Sequence, residues 1–164
     1  MKASLFNIAG AVGIQLVLAA PAKATGANHH EIQFRSDDHE AQLIVRKLLG
    51  KEELPESDVP LGARFLRTAW VNLSAGGRPA LLVMYGCSPT GNCQLSGFER
   101  RKTGYRLVLD SLAQRCWILR SSHGGHRDLT AYMHGDAFEG TRKTYRWRGG
   151  RYVRVSERDA RSPD

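Results

Sequence analysis

Trp70-Val71-Asn72-Leu73, a Gly76-Gly77 pair, a run ending in Met84-Tyr85-Gly86, then Arg101-Lys102-Thr103-Gly104-Tyr105 and a closing run to Asp110: this stretch reads as short β-strands joined by tight turns. The same order returns as Trp117-Ile118-Leu119-Arg120, Gly124-Gly125, a run ending in Met133-His134-Gly135, and Arg142-Lys143-Thr144-Tyr145 before a last run to Ser156. A unit this short buries too little apolar surface alone, so two copies are expected to pack together. The strand-like runs fall at 64–73, 80–85, 93–100, 105–109, 116–121, 129–134, 142–147 and 152–155. The connections are too short for the crossover helices of a parallel sheet, so antiparallel pairing follows. The expected fold is mainly β with one N-terminal helix (α+β). Two antiparallel four-stranded meander units pack as a sandwich or a bent sheet.

Working outward, the N-terminus carries different signals. Lys2, an apolar run over 5–20 and the small-x-small triplet Ala22-Lys23-Ala24 predict a signal peptide, cleaved after Ala24. An uncleaved anchor is the alternative, but the run is short for a membrane span, and no later segment is long and apolar enough for one. Residues 25–36 are polar and lack periodicity, which predicts a loose arm. Asp37 can cap a helix and Glu40 can reach back to it. Ala41, Ile44, Val45, Leu48 and Leu49 then form one apolar face before Gly50, so a helix over 38–49 is expected to lie on the core. Pro55 and Pro60 mark 51–62 as a linker. The organisation is thus leader 1–24, arm 25–36, helix and linker 37–62, β domain 63–156, and a charged tail, 157–164, expected to be disordered.

Lys2 and Lys23 leave with the leader, so the formal net charge falls from +8 to +6. Such a balance speaks to association with polyanions, or only to solubility, and not to chemistry. Export makes the cysteines readable. Cys87-Ser88-Pro89-Thr90-Gly91-Asn92-Cys93 is a turn-rich loop between two strands, expected to be closed by a disulfide. Cys116 is left over inside a strand and is expected to be a buried core thiol.

Leu73 to Val83, the Cys87–Cys93 hairpin, Gly125-His126-Arg127-Asp128-Leu129 and Tyr145-Arg146-Trp147-Arg148-Gly149-Gly150-Arg151-Tyr152 resemble a loose group of exported bacterial proteins. In that group a strand ends in a cysteine-bracketed turn, and a later Gly-x-Arg-Asp-Leu strand precedes a Tyr-x-aromatic hairpin. The resemblance implies a style of fold and no defined activity. It is also similar in style to the blades of integrin-type propellers, whose Asp-rich loops bind calcium. Here the matching loops are Asn72-Leu73-Ser74-Ala75-Gly76-Gly77 and Arg120-Ser121-Ser122-His123-Gly124-Gly125. They lack the carboxylates that Ca²⁺ requires, so the blade shape carries over and the ion site does not. Two units are also too few for a closed propeller.

Candidate chemistry is sparse. His123, His126, Asp128 and His134 are weak metal-ligand candidates, because their spacing fits no known signature and a polar turn explains them as well. Ser121, Ser122 and His123 adjoin, but catalytic triads are spatial and adjacency says little. There is no Gly-x-Ser-x-Gly elbow and no phosphate loop opening a helix. No cofactor and no catalytic residue are expected. The sharpest surface signal is the basic-aromatic hairpin 142–154, with binding candidates Arg142, Arg146, Arg148, Arg151 and Arg154. Alternation puts Lys143, Tyr145 and Trp147 on one face and Arg142, Arg146 and Arg148 on the other. The second face then presents guanidinium groups to phosphates or carboxylates, or only protects an edge from aggregation. The expectation is a periplasmic or secreted, non-enzymatic binding domain whose basic β face takes an anionic polymer or an acidic envelope protein. Alternatives are an inhibitor or immunity factor of an envelope hydrolase, or a weak hydrolase or metal enzyme.

Overall fold

The computed structural model describes residues 29–53, 66–77, 79–136 and 139–161. The expected leader with its cleavage point, residues 25–28 of the arm, residues 54–62 of the linker, and 162–164 lie outside the described residues. In chain order the elements are β1 (His29–Glu31), α1 (His39–Glu53), β2 (Arg67–Val71), β3 (Ala80–Tyr85), β4 (Cys93–Arg101), β5 (Gly104–Ala113), β6 (Arg115–His123), β7 (His126–His134), β8 (Glu139–Arg148) and β9 (Arg151–Arg161). One sheet runs β2-β3-β4-β5 and the other β1-β6-β7-β8-β9, all antiparallel. The two expected four-stranded meanders are therefore the two sheets, and Gln114 alone carries the chain from one to the other.

Strand β3 explains the layering. Its sequence Ala80-Leu81-Leu82-Val83-Met84 is buried throughout instead of alternating, because both of its faces are covered. Leu82 and Met84 belong to one buried cluster with Leu95 and Leu109 of their own sheet and Cys116, Leu129, Ala131, Tyr145 and Tyr152 of the other, which makes the sandwich core. Leu81 and Val83 point the opposite way and form a second cluster with Phe98 and the helix. All five predicted helix residues take part in it: Ala41 and Val45 are buried, and Ile44, Leu48 and Leu49 pack against them. The layers are thus helix, four-stranded sheet, five-stranded sheet. Burying Leu or Val side chains contributes about 1.5–3 kcal/mol each before entropy is counted, so β3 is firmly anchored.

Three expectations need correction. The helix is capped by Asp38, whose Oδ1 accepts from the Ala41 N–H at 2.9 Å; Asp37 is taken by a two-point pairing with Arg35 instead. The arm is not loose. His29–Glu31 pairs with Trp117–Leu119 along the edge of β6, Ile32 is buried, and the Ile32 N–H donates to the Cys116 carbonyl. The free ladder edge of β6 and the apolar side chains Ile32 and Phe34 both reward this docking. Nor is the tail disordered from Glu157. Strand β9 continues to Arg161 opposite 139–143, with Glu157 facing Lys143 across the ladder.

Candidate functional site

The hairpin β8–β9 sorts its side chains as the alternation requires. Tyr145 lies in the core, its hydroxyl hydrogen-bonded to Ser111 of the other sheet, and Trp147 packs against the same core. The opposite row carries Arg142 and Arg146 on the outer face of the five-stranded sheet. Across the ladder Arg148 faces Arg151 at the hairpin tip, and both are exposed. Arg154 leaves the group: it lies opposite Tyr145 and pairs with Glu157.

The centre of this outer face is Trp117, which is only 4% exposed. Guanidinium carbons of Arg115 and Arg142 sit 5.3 and 5.0 Å from its ring centroid, and His29 meets it edge-on at 6.2 Å. Arg115 has an anionic partner: its Nε and Nη2 donate to the two Glu31 oxygens at 2.7 and 2.6 Å. That pairing holds the Glu31 carboxyl below the usual carboxylate range. Arg142 has no carboxylate partner among the described residues, and its buried Nε makes no hydrogen bond. Its ladder neighbour on β9 is Arg158, a like charge directly opposite. Burial, and then Arg158 and Arg115, draw its pKa below the ordinary guanidinium value. Tyr132, register partner of both Arg115 and Arg142, is fully buried and its hydroxyl has no partner among the described residues. The Tyr132 ring crosses β8 at Gly140, where a Cβ would stand 2.4 Å from the Tyr132 oxygen and 2.4 Å from the Met133 carbonyl oxygen. Only glycine leaves that ring its place.

Along the same face, Asp128 is 1% exposed and accepts the Ser121 hydroxyl at 2.7 Å, with His123 Nδ1 2.7 Å away and Arg146 Nε at 3.5 Å. Here the carboxylate lies between Ser121 and His123. The serine hydroxyl is given to Asp128 and not to the imidazole, so the three do not form a nucleophile with its base. The other histidines of the predicted cluster go elsewhere. His126 Nε2 is 2.7 Å from Glu99 of the other sheet, and the ring stacks on Trp147 at 3.7 Å. His134 is held through its main chain: Asn92 donates to its carbonyl at 2.7 Å and accepts from its N–H at 2.8 Å. No group of three or more His, Cys, Asp or Glu side chains among the described residues converges as a metal site would require.

Cys87 and Cys93 form a disulfide, and the Asn92 clamp ties this loop to the end of β7. Cys116 is buried at 1% exposure, and desolvation pushes its thiol up to about 12. Among the described residues no helix is long and apolar enough to cross a membrane. Sequence reasoning missed two members of the outer face. Arg115 was signalled only by its closeness to Trp117, and Arg158 fell in the segment read as tail. No protein-family model matches the chain, and neither a curated protein nor a solved structure is detectably similar to it.

Proposed function

We propose that the protein is an exported, non-enzymatic binding domain of the bacterial envelope that holds an anionic polymer on the outer face of its five-stranded sheet. The observation that carries this reading is Arg142, which sits over the Trp117 ring, faces Arg158 and has no carboxylate partner among the described residues. Two guanidinium groups set opposite each other repel, and an anion with several oxygens relieves that repulsion while supplying the missing acceptors. Arg146, Arg148 and Arg151 extend the charge along the hairpin, as a polymer with repeated anionic groups requires.

Binding of the full-length secreted protein to a polyphosphate chain, followed through a NaCl titration, tests the proposal. Affinity should fall steeply with salt, and Arg142→Gln with Arg158→Gln should flatten that dependence. Affinity independent of salt, or equal in the variant, refutes it. Sequencing the N-terminus of the secreted protein checks export: the chain should begin at Thr25. A second reading, inhibition of an envelope hydrolase, is favoured by the exposed tip Ser88-Pro89-Thr90, braced by the disulfide and the Asn92 clamp. A stoichiometric protein partner that is lost on reducing the disulfide, with no polymer binding, would select it.

A further inference from the structure

At the hairpin end of the sandwich the matching loops of the two units meet. Arg127 N–H donates to the Leu73 carbonyl at 2.6 Å, and Ser74 bridges to His126. Between them lies a cleft of about 790 Å³, away from the Trp117 face. Asn72, Ser74, Arg120, Ser122 and Arg127 line it together with Gly76, Gly77 and Gly125 of the two turns, and no Asp or Glu lines it among the described residues. Arg120 and Arg127 are exposed, and neither guanidinium has a hydrogen-bond or ion-pair partner among the described residues. Such a pair in an acid-free concavity carries an unbalanced positive potential, focused by the walls around it.

The rest of the lining narrows the ligand. Ser74, Ser122 and Asn72 offer neutral groups that both donate and accept, which suit hydroxyls. The Ser74 side chain occupies the space where Gly77 would carry a Cβ, with its oxygen 1.8 Å from that point, so any larger residue at 77 displaces it. Ile118 gives a small apolar floor. The volume lies in the range of small-molecule sites.

We infer that this cleft binds a phosphate ester of a sugar or polyol, with Arg120 and Arg127 on the phosphate and Ser74, Ser122 and Asn72 on the hydroxyl groups. A forked guanidinium matches phosphate oxygens better than a point charge does. The site stands apart from the polymer-binding face and does not rest on it.

Calorimetric titration of the full chain with glucose 1-phosphate, inorganic phosphate and glucose tests the inference. Glucose 1-phosphate should bind at least tenfold more tightly than either of the others. Arg120→Gln and Arg127→Gln should each weaken it by about tenfold or more, while Arg142→Gln leaves it unchanged. Gly77→Ala should weaken it without removing either charge. No binding by glucose 1-phosphate, equal binding of glucose, or full affinity in the Arg120→Gln, Arg127→Gln double variant overturns the inference. Loss of affinity in Arg142→Gln alone would also overturn it, by moving the ligand to the outer face. Circular dichroism of each variant separates lost binding from lost folding.

Discussion

Replacing Gly140 by alanine puts a methyl group into space that is already filled. The added carbon would lie 2.4 Å from the Met133 carbonyl oxygen, 2.4 Å from the Tyr132 hydroxyl oxygen and 2.5 Å from Tyr132 Cζ. These contacts are about 1 Å inside normal non-bonded separation. Rotating a side chain cannot relieve them, because one obstacle is backbone in the β7–β8 ladder and the other is a fully buried ring. Overpacking costs about 1–3 kcal/mol in cores that can yield, and this site should reach the upper end. For a domain of this size about 3 kcal/mol lowers Tm by roughly 10 °C. Gly149→Ala is the comparison: its φ of 57° strains an alanine, but nothing lies within 4 Å of the new Cβ, so about 1–2 kcal/mol is expected. Urea denaturation followed by tryptophan fluorescence measures both. Adding Tyr132→Phe to Gly140→Ala removes one oxygen and leaves the carbonyl, so it should restore only part of the loss. The reasoning fails if Gly140→Ala costs no more than Gly149→Ala, or if Tyr132→Phe restores full stability.

Tyr132→Phe alone deletes a buried hydroxyl with no partner among the described residues, and should leave stability equal or slightly higher in chloride buffers, as denaturation midpoints would show. Asn92→Ala removes two bonds to the His134 main chain and should cost about 2–3 kcal/mol in the same assay, while Asn92→Asp keeps the acceptor and loses less. Cys116 should resist a thiol reagent at pH 8 in the native protein and react at once in urea; a thiol raised from 9.0 to about 12 has roughly a thousandfold less thiolate. Glu31 has a lowered folded pKa, so its pairing with Arg115 stabilises fully above its ordinary 4.5 and is lost as pH falls through the folded value. Exchange of the Ile32 amide hydrogen should therefore be constant from pH 7 to 5, after correction for intrinsic rates, and accelerate below; Glu31→Gln should abolish that pH response.

The strands were legible where local chemistry speaks alone. Gly76-Gly77, Gly124-Gly125 and Gly149-Gly150 punctuate the chain, and the run 80–85 matches β3 to the residue. The facing of the candidate hairpin row was legible because period-two alternation sends Tyr145 and Trp147 inward and Arg142 and Arg146 outward. What the sequence hid depends on distant partners. Nothing near His29 reveals that β6, almost ninety residues away, has an open edge to offer. Glu157 to Arg161 reads as solvated charge until β8 is placed beside it, and Arg158 therefore went unseen as the neighbour of Arg142. The histidines show the converse. Residues close in sequence turned to different partners, His123 to Asp128 and His126 to Glu99.

The single-residue joint at Gln114 has a kinetic consequence. Each sheet is assembled from hairpins between sequence neighbours, with β1 against β6 as the one exception among the described strands. Local hairpins close within microseconds, whereas long-range pairing waits on a large loop. The two meanders should therefore form early and almost independently, and the N-terminal strand should dock last. Until it does, the edge of β6 beside Trp117 stays open, and at high concentration the arm of a second copy can fill it. Refolding that slows or yields exchanged dimers as protein concentration rises would trace to that late strand.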